Sequence, residues 1–199
     1  MNINDFVTNY WNYYVELEHK FINTQNYVTF HKRNYGTFSN EFVELLQIIC
    51  SEIDVVGKII AKECNSSFVI NKKTNINKWG YEIQKVFPTI QNAKVIFRSE
   101  YELTPWRNWF YTINRKKRIV LDESKNAKSP YWWKAYNKVK HERTSIGACN
   151  LPNYMQANLK NVVSALSALY ILEINMLDYY SKTKKVDYES SRLFKMARE

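Results

Sequence analysis

The apolar side chains of this chain recur at three- and four-residue steps over three long stretches, and this spacing predicts amphipathic α-helices. The second stretch begins after Ser39 or Asn40, either of which can cap a helix, and continues to residue 64. The third covers residues 153 to 182, where apolar side chains fill a wide face. The first covers residues 5 to 30, with a largely aromatic stripe of Phe6, Trp11, Tyr14, Leu17 and Phe21.

Two shorter helices are expected on either side of a less regular segment. One covers residues 76 to 86 and ends before a proline, because proline cannot continue a helix. The other begins at Ser129-Pro130, where serine can cap and proline is tolerated in the first turn, and continues to about Arg143. Residues 94 to 121 between them are irregular and aromatic, which predicts loops or a short extended pair.

Together these patterns predict a mainly α fold in one domain. Residues 1 to 182 are interpreted as an antiparallel helical bundle with a short irregular or extended insertion, since no stretch rich in proline, glycine or serine divides them. Residues 183 to 199 are charged, and we expect them to form a short terminal helix or a frayed tail. A chain of 199 residues is long enough for one well-filled core.

Composition narrows the class of protein. Apolar residues make up 45% of the chain and aromatic residues 16%, too much for a disordered protein, and four glycines and four prolines are too few for an all-β design. No apolar run reaches the roughly 18 residues of a membrane span, so we expect a cytoplasmic protein without a membrane partner. Cys50, Cys64 and Cys149 follow no metal-binding or disulfide pattern. No metal and no cofactor are therefore predicted.

The charge of the chain indicates a polyanionic partner. Its formal net charge is +10, and nucleic acid is favoured over a membrane surface because no basic amphipathic helix of the membrane type stands out. From Arg107 to Arg143, eleven Lys and Arg residues stand against three acidic ones, a local excess of +8. Outside the helix that follows Ser129, the residues predicted to contact RNA are Arg107, Arg115, Lys116, Lys117 and Arg118.

Aromatic side chains are interleaved with these cations, and two interpretations stay open for them. They can stack on unpaired bases, as in single-strand binders. Alternatively, most of them belong to the core, in which case we expect no more than two to be exposed. The side chains concerned are Trp106, Trp109, Phe110, Tyr111, Trp132 and Trp133.

The helix that follows Ser129 has two different faces. At about 100° per residue, His141 lies about 40° from Asn137, and Trp133 lies about 40° from it on the other side. Lys134 and Lys140 flank Asn137 at about 60°. The opposite face is expected to be buried, and it holds Trp132, Ala135, Tyr136 and Val139.

His141 is the candidate catalytic group on the polar face. Imidazole has an ordinary pKa of about 6.5, which suits proton transfer at neutral pH. Cleavage of RNA by its own 2′-OH needs a group that moves this proton and cations that stabilise negative charge on the phosphate, and Asn137 and Arg143 are suitable neighbours. Arg143 points about 160° away from His141, so it joins the site only if the helix unwinds or a second chain brings the two together. The lysines expected to hold RNA are Lys134, Lys138 and Lys140.

The alternative without catalysis is a solvent-exposed helix face on which His141 is one of several polar residues. Runs of charged residues usually form such a surface. Nothing in the residue types alone separates this interpretation from a catalytic site. The two differ in what the neighbouring cations do: they hold a phosphate in one case and contact only water in the other.

A mostly helical chain of this size, with N-x-x-x-H on a late helix and a long apolar helix after it, resembles the HEPN superfamily. The ending K-H-x-R, residues 140 to 143, is similar to that of its bacterial abortive-infection members. The resemblance implies a small helical bundle that forms a homodimer and acts as a metal-independent endoribonuclease. Such proteins cut RNA in antiphage defence or as toxins, with the active site at the dimer interface. An antitoxin or a phage protein is then a further expected partner.

The superfamily motif is R-x4-6-H, frequently R-N-x-x-x-H. His141 matches the histidine and becomes the expected general acid and base, and Asn137 matches the polar residue that follows the arginine. Tyr136 stands in the arginine position, so Arg143 or Arg107 has to supply the cation.

Two other functions stay open at this point. Tyr136 in the arginine position favours a non-catalytic HEPN module that binds RNA or a phage protein. Its place near His141 also allows a protein whose tyrosine is modified by a partner nucleotidyltransferase. Cleavage of RNA without metal, lost on replacement of His141, separates the ribonuclease from both.

Overall fold

The computed structural model describes residues 1–107, 109, 112–113, 119–120, 129–147, 150–182 and 186–197. Within them the chain is mainly helical, as predicted. The helices, in chain order, are α1 (Ile3–Phe6), α2 (Asn12–Asn23), α3 (Asn40–Cys64), α4 (Ile76–Val86), α5 (Tyr131–His141) and α6 (Leu159–Ser181). A π turn, Val7–Trp11, joins α1 to α2, so the first apolar stretch is one helical segment that ends near residue 23 and not near residue 30.

The helices α3 and α6 pack against each other at the centre of the fold. Both begin at a side-chain cap: the Ser39 hydroxyl accepts from the Phe42 N–H at 3.1 Å, and the Asn158 amide oxygen accepts from the Asn161 N–H at 3.1 Å. α6 is long and apolar enough to cross a membrane, but 78% of its most apolar window is buried inside the protein. Such burial is typical of a core helix.

The irregular segment and the end of the chain contribute short strands. These are β1 (Val95–Phe97), β2 (Tyr101–Leu103), β3 (Thr112–Ile113), β4 (Ile119–Val120) and β5 (Phe194–Met196). β1 lies between β2 and β5 in an antiparallel sheet, where Val95 is opposite Leu103 on one side and Met196 on the other. β3 and β4 form a separate antiparallel pair. The expected extended insertion is therefore present.

The end of the chain differs from the terminal helix or frayed tail expected for residues 183 to 199. Residues 194–196 form β5, and the Arg98 N–H donates to the Leu193 carbonyl oxygen at 2.8 Å. Leu193 and Phe194 are buried. A strand of three residues is too short to show a two-residue alternation in the sequence, and the charges around it suggest solvent instead.

Tryptophan side chains attach α5 to the rest of the fold. The Trp132 indole N–H donates to the Pro105 carbonyl oxygen at 2.9 Å, and the Trp106 indole N–H donates to the Ala168 carbonyl oxygen on α6 at 3.1 Å. The rings of Trp106 and Trp132 meet edge to face at 5.2 Å. Because these contacts join α5 to α6 through the segment before β3, the helix is held in one position.

The same packing answers the question of the interleaved aromatics. Trp106, Trp109 and Trp132 are fully buried and Trp133 is 9% exposed, so these four side chains belong to the core. Stacking of RNA bases on them is therefore wrong, and the core interpretation is confirmed for them. Phe110 and Tyr111 lie outside the described residues.

Candidate functional site

The helix α5 turns its apolar side inward, with the predicted set buried: Trp132, Ala135, Tyr136 and Val139. Trp133, predicted on the polar face, is also buried, and its ring lies 5.1 Å from that of Tyr136 and 5.9 Å from that of Trp132. A large indole at the edge of a polar face can bend back onto neighbouring rings, which a helical wheel does not show. The helix also begins differently, because Pro130 and not Ser129 occupies the cap position, without a side-chain hydrogen bond.

The other side of α5 is open to solvent. His141 is the last residue of the helix and is exposed, and Asn137, one turn earlier, is half-buried. Lys134 and Lys140 are exposed, and Lys138 is half-buried. Positive side chains in the last turn are favourable, since the C-terminal end of a helix carries partial negative charge. The structure thus brings the predicted amide, imidazole and ammonium groups onto one surface.

The helix ends before Arg143. Glu142 has φ −137° and ψ 40°, so the chain leaves the helical path directly after His141. The carbonyl oxygen of Arg143 accepts from the Tyr154 N–H at 2.9 Å, and the Asn153 side-chain amide donates to the Glu142 carbonyl oxygen at 2.9 Å. The backbone that carries the exposed Arg143 is therefore fixed, and the 160° separation from His141 does not apply.

Tyr136, in the position of the motif arginine, is a core residue that is 6% exposed. The Lys140 ammonium donates to its hydroxyl at 3.1 Å and lies 5.3 Å from the centre of its ring. The Lys140 ammonium group thus lies against Tyr136, and it has to leave this ring to contact a phosphate at the neighbouring His141. It also makes Tyr136 a poor target for modification by another protein, because its hydroxyl is covered.

The remaining predicted RNA contacts do not gather at His141. Arg107 is exposed and lines a cleft of about 370 Å³ with Lys94 and Glu102. It follows the segment that Trp132 contacts near the start of α5, and His141 lies at the other end, about 14 Å further along the axis. Arg107 is therefore not the missing cation of the His141 site within one chain. The basic run Arg115, Lys116, Lys117 and Arg118 lies outside the described residues.

An exposed group of apolar side chains lies beside the turn that carries Arg143. Ile146 is 60% exposed, and the rings of Phe38 and Tyr154 meet at 5.7 Å. Leu151 is held in the same loop, where its carbonyl oxygen accepts from the Gly147 N–H at 2.8 Å. We call these four side chains, Phe38, Ile146, Leu151 and Tyr154, the apolar patch. The sequence did not predict it, because its members come from two segments with no shared periodicity.

The described residues contain no group of three or more His, Cys, Asp or Glu side chains that could hold a metal ion. Burial raises the pKa of the Cys50 thiol well above its ordinary value. Burial, with a smaller contribution from nearby carboxylates, raises the pKa of Cys64 to about 11. Both thiols are therefore protonated at neutral pH and are poor metal ligands. Cys149 lies outside the described residues.

No family model, no curated protein and no solved structure matches this chain. The site is consequently defined by its own geometry: an exposed imidazole at the end of a firmly packed helix, an amide one turn before it, and a guanidinium two residues after it on a fixed turn. These groups can exchange a proton and bind an anionic phosphate.

Proposed function

We propose that this protein is a metal-independent endoribonuclease of the HEPN type, which acts as a homodimer in the cytoplasm in antiphage abortive infection or as a toxin. One observation carries the proposal: His141 is exposed at the end of α5, on the same surface as Asn137 and next to exposed cations. The resemblance of the N-x-x-x-H and K-H-x-R patterns to the superfamily motif supports the same activity.

In this proposal His141 removes the proton of a ribose 2′-OH, and the 2′-oxygen attacks the neighbouring phosphorus. The bond from phosphorus to the 5′-oxygen breaks, and a protonated imidazole gives that oxygen a proton. The products are a 2′,3′-cyclic phosphate and a 5′-OH end. Arg143 and Lys140 hold the phosphate oxygens as negative charge builds up on them, and Asn137 orients the imidazole or the RNA backbone.

A second copy of the chain supplies the second proton-transfer group that one chain lacks. Tyr136 is buried where the motif has its arginine, so one α5 offers a single imidazole on an open surface. The reaction needs one group that accepts a proton and another that donates one. The apolar patch lies beside Arg143, and contact between two such patches about a two-fold axis would bring the two sites together.

Cleavage of a labelled single-stranded RNA by the purified protein in EDTA tests the activity. We expect the wild type to cut the RNA and His141→Ala to be slower by about 10²-fold or more, because general acid–base catalysis typically contributes this much. Circular dichroism should show both to be folded. His19→Ala is the matched control: His19 is a half-exposed histidine on α2, 3.7 Å from Glu189, and its loss should leave cleavage unchanged.

The dimer is tested by Ile146→Asp, which places a charge in the apolar patch. We expect a smaller molecular mass in solution and loss of cleavage together, and His141→Ala should keep the larger mass. Cleavage that persists in folded His141→Ala would contradict the proposal. RNA binding without any cleavage would instead favour the non-catalytic module, for which the buried Tyr136 is the supporting observation.

A further inference from the structure

Three tyrosines from distant parts of the sequence lie together on one surface: Tyr35, Tyr101 and Tyr131. The pKa of Tyr35 is raised by burial and then by Tyr131 and Tyr101, each of which therefore lies within electrostatic reach of Tyr35. The Lys160 N–H also donates to the Tyr35 carbonyl oxygen at 3.2 Å, and the Lys160 ammonium lies 5.2 Å from the centre of the Tyr131 ring. We call these three tyrosines the tyrosine platform.

Cations surround the platform. The Lys32 ammonium lies 4.7 Å from the centre of the Tyr101 ring, and the His31 ring meets the same tyrosine edge to face at 6.3 Å. Lys32 and Lys160 are both exposed. One acidic residue takes part: burial, and after it the nearby Glu100 carboxylate, raises the pKa of Tyr101. The surface therefore combines flat aromatic rings with an excess of positive charge.

One ring of the platform is held by its hydroxyl group. The Tyr131 hydroxyl is hydrogen-bonded to the Ser164 hydroxyl on α6, which in turn donates to the Lys160 carbonyl oxygen at 2.7 Å. Tyr131 nevertheless remains 45% exposed. Rings that are fixed at one end and open to solvent lose little conformational freedom when they bind a flat ligand.

The platform is continuous with the proposed catalytic helix. Tyr131 is the first residue of α5 and His141 is the last, about 15 Å apart along the axis. On a helical wheel Tyr131, Lys138, Lys134 and His141 follow one another within about 80°. A strand of nucleic acid that contacts the platform can therefore follow a stripe of lysines to the imidazole.

We propose that the tyrosine platform binds single-stranded RNA, with unpaired bases stacked on Tyr101 and Tyr131 and the phosphates held by Lys32, Lys134 and Lys160. This inference rests on the proposed function and adds the substrate class: RNA that is unpaired next to the cleavage position. Aromatic rings combined with a basic track are the physical basis of single-strand binding elsewhere.

The lysines that now lie over the rings do not prevent stacking. A lysine on an exposed aromatic ring is held more weakly than a base stacked on such a ring. A base can therefore displace the ammonium group, which then moves on its flexible stem to the adjacent phosphate. The same lysine thus contacts the ring in the free protein and the phosphate in the RNA complex.

Fluorescence anisotropy with a labelled single-stranded 2′-O-methyl RNA tests the platform. This RNA lacks the attacking hydroxyl, so wild-type protein can be used without cleavage. We expect Tyr131→Leu and Tyr101→Leu each to raise Kd by about ten-fold, the loss of one stacked base. Tyr131→Phe keeps the ring and loses only the bond to Ser164, so its Kd should stay within about two-fold of the wild type.

Tyr13→Leu is the matched control, because Tyr13 is an exposed tyrosine on α2 outside the platform. A duplex of the same sequence should bind more weakly than the single strand and should be indifferent to Tyr131→Leu. Unchanged affinity of both leucine variants for the single strand, or equal affinity for the duplex, would overturn the platform. Such a result would not contradict cleavage that depends on His141. Conversely, absence of cleavage would not affect the binding measurement, so the two proposals can be rejected independently.

Discussion

Glu18 on α2 and Glu173 on α6 are both fully buried, and their surroundings are opposite. Among the described residues, neither carboxylate oxygen of Glu173 has a hydrogen-bond partner. The Glu18 carboxylate accepts from two hydroxyl groups and two backbone N–H groups, which belong to Tyr14, Ser191, Arg192 and Leu193. The same side chain at the same depth is thus satisfied in one place and unsatisfied in the other.

The effect of a buried carboxylate on stability therefore depends on its hydrogen-bond partners and not on its depth alone. Burial of a charge costs several kcal/mol unless hydrogen bonds replace those of water. At Glu18 three of the four donors come from residues 173 to 175 positions later, so the carboxylate ties residues 191–193 to α2. At Glu173 burial, and after it the Glu52 carboxylate, raises the pKa well above its ordinary value, which favours the protonated form.

The largest effect is expected for Glu18→Ala. The change removes the acceptor of the Ser191 hydroxyl and of the backbone N–H groups before β5, and each buried donor left without a partner costs about 1–3 kcal/mol. We expect the free energy of unfolding in urea to fall by about 3 kcal/mol or more. Residues 186–197 should also become sensitive to limited proteolysis.

Glu16→Ala serves as the control for this variant, because Glu16 lies on the same helix and is exposed. It should change the free energy of unfolding by less than about 0.5 kcal/mol. A similar small loss in Glu18→Ala would mean that the chain end is held by the β1–β5 pairing and by Phe194 alone.

An effect of opposite sign is expected for Glu173→Gln. Because folding raises the pKa of Glu173 above 4.5, its stabilising contribution is complete below that pH and is lost as the pH rises toward the folded pKa. The loss proceeds at up to about 1.4 kcal/mol per pH unit. Glutamine has no proton to lose, so the variant should gain stability over the wild type progressively from pH 5 to pH 8.

Urea unfolding at four pH values in this range measures the gain. Parallel curves for the wild type and Glu173→Gln would contradict the assignment of a protonated Glu173. Glu18 and Glu173 would then differ only in their hydrogen bonds.

The helical part of the fold follows from the sequence because it depends on local periodicity. Ser39 caps α3 as expected, and the long apolar stretch near the end of the chain forms α6. The start of α6 was placed too early, because Asn153–Gln156 forms a 3₁₀ turn and Asn158 is the cap. β5 was missed because its position depends on β1, about a hundred residues away, and on the Glu18 carboxylate.

In the candidate site, too, the features that depend on local spacing could be predicted, and those that depend on distant contacts could not. One helix carries Asn137 and His141, so their common face could be predicted from spacing alone. The burial of Trp133 depends on neighbouring rings, and the exit of the chain before Arg143 depends on hydrogen bonds from Asn153. The tyrosine platform is built from three separate segments, so no local pattern in the sequence predicts it.

The smallest expected effect concerns Glu52, the half-buried carboxylate on α3 that helps to raise the pKa of Glu173. Burial raises the pKa of Glu52 itself, so Glu52→Gln should also gain stability as the pH rises. Solvent screens this partly exposed group, and we expect a gain of only a few tenths of a kcal/mol at pH 8.

Coupling between the two carboxylates is the decisive quantity. If they face each other across the α3–α6 interface, the double variant should gain less than the sum of the single variants by about 0.5 kcal/mol, because each change already removes their repulsion. Glu44→Gln, on the exposed side of α3, should add independently to Glu173→Gln. If the effects of Glu52→Gln and Glu173→Gln are also additive, burial alone raises the pKa of Glu173. The contrast with Glu18 then rests on hydrogen bonding only.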